Sequence, residues 1–86
     1  MPRLNRQIVL SNISEACEEL ENIEKMLAAE TPVNQIAFQV AMQHAFHHLN
    51  FAWNIRHWPS KRYGSLSRTD FDEAGSFPKD LQFQDD

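Results

Sequence analysis

Charge is missing from the middle of this chain. From Thr31 to Ile55, 25 consecutive residues include no Asp, Glu, Lys or Arg, where an average soluble domain would place about six. Glycine is scarce: the 86 residues hold two, Gly64 and Gly75. Both fall after residue 63, which excludes a glycine-rich phosphate loop earlier in the chain. Cys17 is the only cysteine, so no disulfide can form within the chain. With no secretory or anchor motif in view, that single thiol leads us to expect a cytoplasmic protein. Long apolar runs are absent too. Asn34, Gln35, Gln39, Gln43, His44, His47, His48, Asn50 and Asn54 interrupt the uncharged stretch, and a membrane span needs ~18 to 20 apolar residues in succession.

What remains is helix-forming. With so few turn formers before residue 58, the first two-thirds reads as helix. Val9, Ile13, Ala16, Leu20, Ile23 and Leu27 recur at heptad spacing, which predicts a first helix over about 5–29. Thr31-Pro32 combines a favoured N-cap residue with a favoured first helical residue. A second helix is therefore expected over about 32–57, stopped by Pro59 after Trp58. So short a connection makes the two helices antiparallel neighbours. In the last 28 residues, Thr69 is the expected cap of a short helical turn that Gly75 stops.

The second helix has too much apolar surface for one neighbour. Gln35, Gln39, Gln43, His47, Asn50 and Asn54 share one arc. Val33, Ala37, Phe38, Val40, Ala41, Met42, Ala45, Leu49, Phe51, Ala52 and Ile55 fill the rest. A helix that meets one partner shows a stripe of about 100°. One 86-residue domain also has only a small core. The expectation is an all-α hairpin that self-associates into a homodimeric four-helix bundle. Leu20, Ile23, Val40, Phe51 and Ile55 are its expected core and dimer residues.

Charge comes in blocks. Residues 13–30 carry six Glu and one Lys. Residues 56–69 carry Arg56, Lys61, Arg62 and Arg68. Residues 70–86 carry six acids and Lys79. A net charge of -4 argues against general binding to nucleic acids or membrane surfaces. The acidic tail, with Phe71, Phe77, Leu81 and Phe83, is expected to dock near the basic block. Phe71 and Phe77 should then lie beside Trp53 and Trp58, with Asp85 and Asp86 free.

Three groups of residues could carry chemistry. His44 and His48 share a helix face, a spacing that can bind zinc; His47 lies beside them. The metalloprotease motif also needs a Glu after the first His, and Ala45 stands there. In an antiparallel hairpin, His44 and His48 fall near Glu18 and Ser14, with Cys17 close. His44, His47, His48 and Cys17 are thus the candidate metal ligands, set against a plain hydrogen-bonding role. Arg56, His57, Lys61 and Arg62, interleaved with Trp58 and Tyr63, are candidates for an anion or a protein partner. Their alternative role is to neutralise the helix dipole and the acidic blocks. The third group is the Gln-Asn arc, suited to partial burial where an amide can be hydrogen-bonded. No isolated acid pair and no activated nucleophile argue for an enzyme. The function expected is a non-enzymatic interaction or regulatory module with an unidentified protein partner. The rival is a helical metal- or small-ligand-binding protein using the three histidines.

Overall fold

The computed structural model describes residues 3–81. Among them are four helices: α1 (Arg6–Ala28), α2 (Gln35–Asn54), α3 (Ser60–Gly64) and α4 (Arg68–Ala74). α1 and α2 pack along their length. Asn12 meets His48 and Glu19 meets His44, so residue numbers fall on one helix as they rise on the other. The pair is the expected antiparallel hairpin.

The chain between the long helices is longer than expected. Residues 31–34 stay outside the helix, and Asn34 is the cap, accepting from the backbone N–H groups of Ile36 and Ala37 at 3.1 Å each. The Thr31-Pro32 start is therefore corrected to Asn34-Gln35. Asparagine is at least as good a cap as threonine, and its side chain reaches two orphan donors at once. α2 also ends earlier than expected. Arg56 N donates to Trp53 O and Trp58 N to Ile55 O, each three residues back instead of four, and this tighter winding turns Trp58 into the core.

Packing falls into two clusters. Ile8, Phe51, Ile55, Trp58 and Ala74 form one, with Tyr63 against it. Ile23, Ala41 and Ala45 form the other, with Phe38 against it. Of the expected core residues, Ile23, Phe51 and Ile55 are buried. Val40 is 59% exposed and Leu20 46% exposed, so neither belongs to the core of a single hairpin. α1 is rotated from the expected seam, because Ile8, Asn12, Ala16 and Ile23 are its buried residues. A buried asparagine drew the face toward it, and hydrophobic spacing alone could not show that.

The segment after α2 folds back on the same end of the hairpin. α3 packs on α1, and α4 packs on α2. The loop expected over 58–67 thus contains a helical turn. Ser67, not Thr69, caps α4: its hydroxyl accepts from Asp70 N, and Ser67 N donates in return to Asp70 Oδ2. This is a capping box with Asp at the third position. Gly75 ends α4 as expected. A Cβ there would lie 3.3 Å from Phe71 O and 3.5 Å from the Phe51 ring, so the missing side chain allows close approach.

Candidate functional site

The polar side chains of α1 and α2 meet along one line. His44 Nδ1 lies 2.7 Å from Glu19 Oε2, and His48 Nδ1 lies 3.0 Å from Asn12 Oδ1. The two Nε2 atoms are 3.2 Å apart. Asn12 is buried and fixed in orientation, because its Nδ2 donates to Ile8 O at 2.9 Å and to Tyr63 Oη at 3.2 Å. The spacing of four puts both histidines on one face of α2, and the antiparallel partner supplies the oxygen acceptors. Those acceptors are Glu19 and Asn12, not the expected Glu18 and Ser14. The rotation of α1 accounts for the change.

His47 meets this line only by a ring contact with His48, centroids 5.3 Å apart, and packs chiefly on the aromatic side. Its ring centroid is 4.4 Å from that of Phe51 and 5.8 Å from that of Phe71. Burial holds its pKa below the ordinary 6.5, helped by the neighbouring His48 and His44. Cys17 is exposed. Among the described residues, no three His, Cys, Asp or Glu side chains are gathered as a metal site. The candidate ligand set is thus divided: His44 and His48 are together, with His47 and Cys17 outside.

The basic segment is largely engaged within the chain. Arg62 pairs with Asp70 at 2.9 Å and Glu73 at 3.2 Å, and Arg56 pairs with Asp80 at 2.8 Å. Each guanidinium also lies over an indole, Arg56 on Trp53 and Arg62 on Trp58. Hydrogen bonds from Arg62 hold the Asp70 carboxyl below the ordinary range; those from Arg56 and then Trp53 do the same for Asp80. His57 Nδ1 lies 3.2 Å from Arg3 O, and Lys61 is exposed. Of the four anion-site candidates, the two arginines therefore serve the fold.

The amide arc is divided too. Asn50 Nδ2 donates to Gly75 O and Ser76 O, and Asn54 Nδ2 to Ala74 O and Ser76 O. These bonds satisfy carbonyls at the end of α4 that have no helical partner. Gln35, Gln39 and Gln43 are exposed. Phe77 lies with Phe46, Leu49, Trp53 and Leu81 around a cavity of about 200 Å³, so it reaches Trp53 as expected. Phe71 instead stacks near Phe51, with centroids 5.3 Å apart. Phe83, Asp85 and Asp86 lie outside the described residues.

One surface feature was only half visible in the sequence. Ala41, Ala45, His48, Ala52 and Ile55 run along the α1 side of α2 at spacings of 4, 3, 4 and 3. A second series, Met42, Phe46, Leu49 and Trp53, repeats at 4, 3 and 4 and, one residue on from the first, lies about 100° round the helix. Met42 is 46%, Phe46 56% and Leu49 45% exposed. Gln35 and Gln39 continue this series toward the start of α2. No described helix is long and apolar enough to cross a membrane. Comparison with known proteins gives no match: no family model, no curated protein and no solved structure is similar to this chain.

Proposed function

We propose that the chain works as a homodimeric helical module with a binding role and no catalysis of its own. In this reading the second seam of α2 packs against the same seam of another copy, making a four-helix bundle. The outer faces, acidic on α1, are then free to meet a protein partner. The observation that carries the reading is the Met42, Phe46, Leu49 and Trp53 series. Heptad spacing is what a helix needs to mesh with another helix over several turns. One seam already serves α1; a second, about 100° away, is what each helix of a bundle with two neighbours presents. Along Met42, Phe46 and Leu49 the seam carries no charge, so burying that stretch strands no ion; at Trp53 it ends against the Arg56–Asp80 pair, which stays at the rim. A two-fold contact needs one self-complementary patch, and this patch supplies it.

Sedimentation equilibrium of the full chain at micromolar concentration is expected to give twice the chain mass. Phe46→Glu is expected to give the monomer with unchanged helicity, because Phe46 points away from α1. A native chain that stays monomeric at several hundred micromolar would remove this reading.

A further inference from the structure

We propose that His44 and His48 bind one divalent transition-metal ion between their Nε2 atoms, an ion of the class that prefers imidazole, with zinc as its reference. The argument starts from hydrogen counting. Glu19 is an acceptor, so the proton on His44 sits at Nδ1. Asn12 is oriented by the Ile8 carbonyl, which takes a hydrogen from Nδ2, so Oδ1 is the atom facing His48. The proton on His48 therefore also sits at Nδ1. In neutral imidazole one nitrogen donates and the other accepts. Both Nε2 atoms then carry lone pairs, and they face each other at 3.2 Å. Two lone pairs at that separation repel unless a cation lies between them.

The cation can be a proton or a metal ion, and the geometry admits the metal. A separation of 3.2 Å is compatible with an N–H···N hydrogen bond. A tetrahedral zinc ion with Zn–N bonds of about 2.0–2.1 Å places its nitrogen ligands about 3.3–3.4 Å apart. The outer contacts suit a metal as well. Imidazole ligands ordinarily give the other ring N–H to a carboxylate or carbonyl oxygen, which fixes the tautomer and strengthens the donor. Glu19 and Asn12 supply one of each. His44 is about half exposed, which leaves room for water to complete the coordination. Glu19, Lys25, Val40 and His44 line one groove, which opens the His44 side of the pair to solvent. The site lies within a single hairpin and does not depend on self-association.

Nitrogen-15 NMR of the labelled full-length chain during titration with zinc chloride tests this. The expected result is saturation at one ion per chain. The Nε2 signals of His44 and His48 move to metal-bound positions, and both Nδ1 atoms stay protonated. By calorimetry, His44→Gln and His48→Gln should each lose affinity at least about 100-fold, and Glu19→Gln about 10-fold or more. His47→Gln should bind as the native chain does, and so should the Phe46→Glu monomer. If a histidine variant unfolds, the native-chain spectrum still decides. A shared-proton signature that persists through a zinc excess would overturn the proposal. So would binding that survives loss of either histidine, or that disappears in Phe46→Glu while the hairpin stays folded.

Discussion

At the end of the hairpin that carries Ile8 and Ile55, four helical segments meet. At the end that carries Ile23 and Ala41, only two do. The first end buries Phe51 and Trp58, is tied by the Asn50 and Asn54 amides, and is ringed by Arg56 and Arg62 pairs. The second is filled chiefly by alanine and one isoleucine, with Val40, Leu20 and Leu27 left in solvent. The two ends differ in layers, since both use the same two helices. A residue of given size contributes more where a third layer prevents the structure from closing around its loss.

The largest effect should come from the thick end. Phe51→Ala is expected to cost about 3–5 kcal/mol in denaturant melts, as for buried aromatics generally. Ile23→Ala should cost about 2 kcal/mol, near the lower bound for such truncations, because the thin end can collapse. Equal losses at the two sites would break the comparison. Next comes the junction between the ends. Asn12→Ala leaves Tyr63 Oη and His48 short of a partner and should cost about 1–3 kcal/mol. The exposed Asn22→Ala should stay within about 0.5 kcal/mol.

The caps give smaller effects and separate neighbours in sequence. Asn34→Ala at the thin end and Ser67→Ala at the thick end should each cost about 1 kcal/mol. Thr31→Ala and Thr69→Ala should change stability by no more than about 0.5 kcal/mol. The smallest effect concerns acid. Asp70 and Asp80 have folded pKa values below their ordinary 3.8. Their contribution is therefore intact above that value and is lost as pH falls through the lower folded values. Acid titration followed by tryptophan fluorescence should show the thick end loosening in that window, and Asp70→Asn with Asp80→Asn should flatten the change. A transition unchanged in the double variant would remove these carboxylates from the comparison.

How much of this could be read from the sequence depended on the range of the interaction. The hairpin followed from periodicity and from the short break at Thr31-Pro32, both local. The attraction of the 70–81 acids to Arg56 and Arg62 followed from charge alone, and the structure pairs them within one chain. The cap at Asn34 was missed because Thr31-Pro32 carries an equally valid signal three residues earlier. The helical turn at Ser60–Gly64 was missed because five residues have too little periodicity to register. Glu19 and Asn12 were missed by one and two residues, since helix rotation is set by the whole interface. The histidine pair itself was visible in its spacing. The direction of its lone pairs was not, because that depends on an amide fixed by the Ile8 carbonyl and by Tyr63 in α3.

Asn5 carries a kinetic consequence. It caps α1, and its backbone N–H donates to Arg56 O at 2.7 Å while its Nδ2 donates to Trp58 O at 2.8 Å and Ser60 Oγ at 3.1 Å. A helix start is ordinarily sealed by atoms a few residues away, on the submicrosecond scale of local ordering. Here the cap bond, Ile8 N to Asn5 Oδ1, is local, but the residue that makes it is anchored from more than fifty positions downstream. The latch can close only after the chain has gone out along α1, turned, and come back along α2. It is thus expected to form late in folding, and Asn5→Ala should raise the unfolding rate in stopped-flow measurements while leaving the folding rate nearly unchanged. Contacts absent from the transition state act on the unfolding rate and leave the folding rate nearly unchanged. Asn5 therefore sets how long a folded molecule lasts more than how quickly one forms.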